Sequence, residues 1–188
     1  MKIFLLSGKA GSGKDLMGSY MKEQYDASGH NACILHITSP LYEYARKYFS
    51  WNGNMANKPR EFLQEMGIEV IQKKLGKKYF LIDRLCEDID ILKHFFDVFI
   101  ITDGRLISEF VELKRRFPDM KIIHVIRENY DNHLSISEKN HVTETEMEDY
   151  KDYDYLVRNT SKERLFDEAD KIMGIEEANE GEIIWVNY

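Results

Sequence analysis

The chain has 188 residues, of which 43% are hydrophobic and 31% are charged, so we expect one globular domain. Its net charge of −7 argues against binding to a nucleic-acid backbone. No apolar run approaches the roughly 20 residues that a membrane span needs, and the first residues do not resemble a signal peptide, so we expect a cytoplasmic protein with no membrane or nucleic-acid partner.

Strand-like and helical segments alternate along the chain, which predicts an α/β fold with a parallel sheet. The predicted strands are Lys2–Leu6, Ala32–Ile37, Val98–Thr102, Lys121–Ile126 and a short Tyr153–Val157. The predicted helices are Gly13–Ala27, one beginning at Thr38-Ser39-Pro40, Pro59–Leu75, Tyr79–Phe95, Leu106–Phe117 and Lys162–Met173. The tail Glu182–Tyr188 is compatible with an edge strand or with disorder.

Residues 38–96, between the second and third predicted strands, are mostly helical and far longer than a crossover requires. We interpret them as an insertion that overhangs the first loop. Cys33 and Cys86 both lie in apolar stretches, which favours free thiols over a disulfide.

The first strand leads into a glycine-rich loop with the pattern G-x-x-x-x-G-K. Such a loop turns its backbone N–H groups around the phosphates of a nucleotide, at the positive end of the following helix. Lys14 would add a mobile charge at the β- and γ-phosphates. We therefore expect ATP to bind at Gly8, Ala10, Gly11, Ser12, Gly13, Lys14 and Asp15.

Asp15 occupies the position at which a Ser or Thr hydroxyl normally ligates Mg²⁺. Its carboxylate could bind the metal, or it could merely complement the dipole of the helix, and the sequence favours neither reading.

Asp103-Gly104-Arg105 follows the third strand, at the edge of a parallel sheet where ligands bind. Asp103 would hold Mg²⁺ or accept a proton from the acceptor, and Arg105 would bind a phosphate. The alternative is a tight Asp-Gly turn with a solvated arginine. Arg127 ends the fourth strand, and we expect it to contact phosphate as well.

Arg60, Gln64 and Gly67 share one face of the helix predicted in the insertion, while Phe62, Leu63, Met66 and Val70 point elsewhere. A guanidinium for phosphate, an amide for a base and a gap for a ring would form an acceptor site. The alternative is a surface helix whose glycine allows close helix contact. Asn159, after the last strand, would contact the adenine edge or merely begin a turn.

Together these motifs resemble the P-loop nucleoside monophosphate kinases, and most closely the phage-type deoxynucleoside monophosphate kinases. The phosphate loop ending in Gly13-Lys14-Asp15, the segment 59–67 and Asp103-Gly104-Arg105 are similar to segments of that family. The resemblance covers most of residues 1–173. It implies a three-layer α/β/α fold with a five-stranded parallel sheet, an acceptor-binding insertion and a small lid at residues 128–152.

The resemblance implies a phosphotransferase that uses ATP and Mg²⁺ to convert a (deoxy)nucleoside monophosphate to the diphosphate. Lys14, Asp103, Arg105 and Arg127 would be catalytic, and Arg60, Gln64 and Arg105 would bind the acceptor. The chain departs from the family in having no arginine between Glu128 and Asp152, where lids commonly supply one.

Two other functions remain open on the sequence. One is a kinase of another phosphorylated acceptor, such as dephospho-coenzyme A or phosphomevalonate, and the other is a nucleotide-binding sensor with little catalysis. A GTPase is disfavoured because no N-K-x-D motif is present. Both a monomer and a homodimer are compatible with the sequence.

Overall fold

The computed structural model describes residues 1–54, 57–128, 141 and 145–183. Its strands form one five-stranded sheet in the order β2-β3-β1-β4-β5, and every pair is parallel. The strands are β1 (Lys2–Ser7), β2 (Ala32–Leu35), β3 (Val98–Gly104), β4 (Lys121–Ile126) and β5 (Tyr155–Arg158). The α/β fold with five parallel strands is therefore confirmed.

Helices cover both faces of the sheet. They are α1 (Lys14–Ala27), α2 (Ser39–Tyr48), α3 (Arg60–Gln64), α4 (Phe80–Leu92), α5 (Ile107–Arg116) and α6 (Lys162–Ile183). A π-helix (Glu65–Lys74) continues α3, and a single 3₁₀ turn spans Glu146–Glu148. No helix in the described part of the chain combines the length and the apolar character that a membrane crossing needs.

Two apolar cores lie on opposite faces of the sheet, because successive side chains of each strand point to opposite sides. Phe4 and Leu6 face one core, in which α1 and α6 supply buried residues such as Met17 and Leu165. Ile3 and Leu5 face the other core, which α2, α4 and α5 cover. β1, β3 and β4 are buried on both sides, as their continuous apolar sequences predict, whereas β2 is mostly half-buried and the edge strand β5 exposes Leu156.

α1 lies very close to the sheet, and a glycine makes that approach possible. A Cβ atom on Gly18 would come within 2.5 Å of Thr102 Cγ2 and 3.3 Å of Ile100 Cγ2. Because α1 begins directly after the glycine-rich loop, this contact fixes the start of the helix against the end of β3.

The structure corrects several predicted boundaries. β3 extends through Gly104, so Asp103-Gly104 is not a tight turn. Gly104 is needed instead because a Cβ atom there would lie 2.9 Å from Leu5 Cδ1. β2 ends at Leu35 rather than Ile37, because the backbone N–H of Ile37 bonds to Asp103.

The last helix is also longer than expected, since α6 runs to Ile183 rather than Met173. It therefore includes the start of the tail that we considered for an edge strand, and residues 184–188 lie outside the described part. Cys33 and Cys86 are free thiols, as predicted. Most of the predicted lid, residues 129–140 and 142–144, also lies outside the described residues.

Candidate functional site

The glycine-rich loop joins β1 to α1 through three residues with left-handed backbone angles. The φ angles of Gly8, Gly11 and Gly13 are 147°, 77° and 102°, a region that side chains with a Cβ atom rarely adopt. The N–H of Ser12 donates to the Lys9 carbonyl at 3.1 Å and closes the turn. The glycine spacing of the motif is therefore required by the backbone path itself.

The interior of this loop is suited to an anion. A Cβ atom on Gly8 would lie 2.7 Å from Ser12 Oγ and would fill the turn. The hydroxyl of Ser12 is buried and has no hydrogen-bond partner among the described residues. Because buried hydroxyls are nearly always paired, this one marks a place for a polar ligand. The loop therefore fits the phosphates of a nucleotide.

Lys14 begins α1 and is only 3% exposed. Its ammonium group reaches back over the loop and lies 3.4 Å from the Lys9 carbonyl oxygen. Phosphate oxygens of a bound nucleotide would add to the compensation of this buried charge. Asp15, the next residue, is exposed at the same helix end.

A cavity of about 600 Å³ opens beside Lys14 and extends beneath the insertion. This size is within the range of pockets that bind small molecules, about 300–1,000 Å³. The predicted site residues that line it are Lys14, Asp15, Arg60, Gln64, Asp103 and Arg105. The structure therefore brings together residues from the phosphate loop, the edge of β3 and the insertion.

The charge of this cavity differs from that of the whole chain. Among its described lining residues, five are cationic and three are acidic. The cations are Lys14, Arg46, Lys58, Arg60 and Arg105, and the acids are Asp15, Asp103 and Glu109. An acidic protein thus has a locally positive cavity, which suits an anionic ligand.

Asp103 fastens the start of the insertion to the end of β3. One carboxylate oxygen accepts from the Ile37 N–H at 2.8 Å, and the other accepts from the Thr38 N–H at 3.0 Å and from its hydroxyl at 2.6 Å. A carboxylate has about four acceptor positions, so three are occupied. The hydroxyl of Thr38 therefore bonds Asp103 instead of capping α2, for which no side-chain cap bond is present.

Glu109 holds the backbone of Arg105 at the N-terminus of α5. One of its carboxylate oxygens accepts from the N–H groups of Arg105 and Leu106, both at 2.9 Å, and so satisfies two free donors at the helix start. Burial raises the pKa of the Glu109 carboxyl to about 7, although these two bonds act in the opposite direction. Nearby Asp103 raises that pKa further.

The inserted helix presents Arg60, Gln64 and Gly67 to the cavity, as the helical spacing predicts. Leu63 and Ile68 line the cavity as well, so its wall also has apolar parts, and our expectation that Leu63 points elsewhere is wrong. A Cβ atom on Gly67 would lie 3.2 Å from Leu41 Cδ1, so the glycine also serves close contact with α2.

A second cavity, of about 490 Å³, lies on the other side of the phosphate loop. Lys9 and Ser12 of the loop line it, together with Arg127 and Lys151. The guanidinium of Arg127 is 3.5 Å from the Gly11 carbonyl oxygen, so Arg127 is positioned across the loop. The phosphate loop therefore separates two cavities, each with cationic residues.

Asn159 contacts the phosphate loop through its side-chain amide. Its amide nitrogen donates to the Ser12 carbonyl at 2.7 Å, and a Cβ atom on Gly13 would overlap this amide. The contact places Asn159 against the phosphate loop, which the sequence pattern did not predict.

The sequence analysis did not assign several residues that line this cavity. They are His36, Tyr42, Arg46, Trp51, Lys58 and Glu109. The spacing of Tyr42 and Arg46, four residues apart on one face of α2, is a signal that could have identified two of them. Trp51 lies in the loop after α2, where no periodic pattern applies.

No family model matches the chain, and no curated protein sequence does. Solved structures are similar to it. One is the APS kinase CysC of Mycobacterium tuberculosis in complex with AMPPNP and APS, at 12% identity over 94% of this chain and 97% of that chain, with a TM-score of 0.52. A cysteine-to-alanine variant of the same enzyme is similar at the same identity and coverage, with a TM-score of 0.49. The first of these similarities shows that the chain shares its overall α/β fold with that structure.

Proposed function

We propose that this protein is an ATP-dependent phosphotransferase that converts a (deoxy)nucleoside monophosphate to the diphosphate, as in the phage-type deoxynucleoside monophosphate kinases. The observation that carries the proposal is the cavity that joins Lys14 and Asp15 to Arg60, Gln64 and Arg105. A loop for donor phosphates and two arginines for an acceptor phosphate thus line one cavity.

Phosphoryl transfer needs little covalent chemistry from a protein and depends on positioning and on neutralisation of charge. In this proposal, loop N–H groups and Lys14 hold the β- and γ-phosphates of ATP, and Arg127 and Lys9 add charge from the second cavity. Arg60 and Arg105 hold the acceptor phosphate, since guanidinium groups bind phosphate oxygens in pairs.

When Mg²⁺ is bound, it supplies further neutralisation of the transferring phosphoryl group. Asp15 and the unoccupied acceptor position of Asp103 would hold it, directly or through its water molecules. The amide oxygen of Asn159 would accept from the adenine amino group. The helices of the insertion and the lid at residues 128–152 would exclude water from the transfer.

The experiment is a coupled assay of ADP release from ATP and Mg²⁺ against a panel of ribo- and deoxynucleoside monophosphates. APS, dephospho-coenzyme A and phosphomevalonate complete the panel, so that each alternative acceptor is tested. We expect strong stimulation by one or a few monophosphates. Stimulation by one of the other acceptors alone would contradict the proposed substrate, and ATP binding without any stimulation would support a sensor instead.

Two variants test the assigned roles. We expect Lys14→Ala to lower kcat by at least about 100-fold, because the removed charge faces the transferred group. Arg105→Ala should instead mainly raise the KM for the acceptor. Lys93→Ala and Arg84→Ala are matched controls, because both side chains are paired on the exposed side of α4, with Asp90 and Glu87. Full activity in folded Lys14→Ala protein would refute the proposal.

A further inference from the structure

One imidazole of the large cavity has no role in the transfer described so far. His36 follows β2 directly and is half-buried. It lines the cavity together with Lys14 and Asp15 of α1. A histidine in such a place either packs as a structural residue or contacts a ligand, and the surroundings of its two ring nitrogens distinguish these roles.

A buried threonine holds the first of these nitrogens. Thr102 lies in β3 and is only 1% exposed, so solvent hardly reaches its hydroxyl. The hydroxyl oxygen is 3.1 Å from His36 Nδ1. Among the described residues, the hydroxyl makes no other hydrogen bond. The orientation of the imidazole is therefore fixed from the side of β3.

The same pairing determines which ring nitrogen carries the hydrogen. If Nδ1 carried it, Nδ1–H would donate to the Thr102 oxygen, and the buried hydroxyl would have no acceptor for its own hydrogen. A buried donor without an acceptor is unfavourable. The hydroxyl therefore donates to Nδ1, and the ring hydrogen of His36 lies on Nε2.

The second ring nitrogen is available to a ligand. His36 Nε2 makes no hydrogen bond to any of the described residues. Unlike the hydroxyl of Ser12, it is not closed off from solvent. The cavity thus contains an accessible N–H donor whose direction is fixed by a bond on the other side of the ring.

The pair of His36 and Thr102 lies against the start of α1. A Cβ atom on Gly18 would come within 2.5 Å of Thr102 Cγ2, so α1 approaches Thr102 closely at this glycine. Lys14 and Asp15 lie one turn earlier in the same helix and line the same cavity as His36. The imidazole donor is therefore near the residues that we assign to ATP and its metal.

We propose that His36 is a further substrate-binding residue whose Nε2–H donates to a phosphate oxygen of a bound nucleotide, and that Thr102 is its positioning residue. Hydrogen bonds to charged oxygens are roughly twice as strong as bonds between neutral groups, and a fixed donor adds direction to the charge of Lys14. The oxygen belongs to ATP or to the acceptor, and the closeness of Lys14 favours ATP. This inference rests on the proposed function and adds a residue to that site.

The test measures binding by calorimetry with two kinds of probe. One is a non-hydrolysable ATP analogue with Mg²⁺, and the other is each of dAMP, dCMP, dGMP and dTMP. His36→Asn keeps an oxygen that can accept from Thr102 but has no group at the position of Nε2. It should weaken binding of one kind of probe by about 10-fold, the effect of a lost hydrogen bond to a charged group, and leave the other within about 2-fold. A loss for the analogue assigns the bond to ATP, and a loss for the monophosphates assigns it to the acceptor.

Three further variants separate binding from packing. His36→Gln places an amide nitrogen near the position of Nε2 and should restore binding to within about 3-fold of wild type. Thr102→Val keeps the shape of threonine but removes the hydroxyl, and it should weaken binding of the same probe by about 3-fold because the ring is no longer held. His94→Asn is the matched control, since His94 is exposed after α4 and should leave binding of both probes unchanged.

NMR of the imidazole nitrogens gives a readout that needs no variant. In the wild-type protein we expect the His36 hydrogen on Nε2, and we expect its resonance to shift when one of the two probes is added. A hydrogen on Nδ1, or equal binding of both probes by wild type and folded His36→Asn, would overturn the inference. If His36→Asn does not fold, the wild-type tautomer and its shift still decide. Failure of the proposed function is distinct, because monophosphates would then not stimulate ADP release, whereas the ATP analogue would still report on His36.

Discussion

Asp103 is the residue at which a structural role and a catalytic role can be separated by substitution. It accepts three hydrogen bonds from Ile37 and Thr38, and it lines the large cavity. In Asp103→Asn, one oxygen becomes an amide nitrogen that cannot accept, so either the Ile37 bond or both Thr38 bonds are lost. Because hydrogen bonds to a charged group contribute about 1.5–3 kcal/mol each, we expect a loss of about 2–4 kcal/mol in the free energy of unfolding.

Thr38→Val provides the comparison. It removes the hydroxyl that donates to Asp103 at 2.6 Å but keeps the carboxylate and both backbone bonds. We expect it to lower the free energy of unfolding by about 1.5–3 kcal/mol and to leave kcat within a few-fold. Asp103→Asn should in addition lower kcat by at least about 100-fold, because it also removes the negative charge of the carboxylate that we propose binds Mg²⁺.

Urea denaturation gives the free energies, and acceptor-dependent ADP release gives kcat under conditions in which each variant is folded. Asp90→Asn is the matched control, since Asp90 is exposed at the end of α4 and should change stability by less than about 0.5 kcal/mol. Equal effects of Asp103→Asn and Thr38→Val on kcat would show that Asp103 only fastens the insertion. Unchanged stability in both variants would refute the hydrogen-bond reasoning itself.

Three further predictions concern stability. Gly18→Ala should lower the melting temperature, because the new Cβ atom would lie 2.5 Å from Thr102 Cγ2. Gly174→Ala in α6 is the control, because its Cβ atom would meet no atom within 4 Å, and it should stabilise the protein by about 0.5–1 kcal/mol. Gly13→Ala should cost at least about 2 kcal/mol in urea denaturation, since φ is 102° and the methyl group would overlap Asn159; a wild-type midpoint would contradict this. Glu109→Gln should stabilise the protein by about 1–3 kcal/mol at pH 8.5 but little at pH 5, and equal effects at both would contradict the shift. The sign follows because a carboxyl whose pKa is raised from 4.5 to about 7 in the folded protein loses its contribution to stability as pH rises from about 4.5 through about 7, so the full penalty of the charged form is present at pH 8.5.

Much of the fold follows from local sequence. Apolar runs such as Val98–Thr102 and Lys121–Ile126 predict buried parallel strands, and the glycine-rich loop requires a strand before it and a helix after it. The misplaced boundaries depend on contacts between distant residues. β3 continues through Gly104 because that residue packs against Leu5 and Phe110, and β2 stops early because Ile37 bonds Asp103.

In the site, too, local sequence predicts some residues, and contacts between distant residues determine the others. Lys14, Arg60, Gln64 and Arg105 could be assigned because a motif or a helical period placed each of them, and the structure brings them to one cavity. Trp51 could not be assigned, since it lies in a loop and reaches the cavity only through contacts with Tyr42 and Arg46.

The most direct test of the central claim is ADP release from ATP and Mg²⁺ by the wild-type protein, measured with and without each nucleoside monophosphate. The account predicts that one or a few monophosphates stimulate release strongly and that Lys14→Ala abolishes the stimulation. ATP binding with no stimulation by any monophosphate would contradict it.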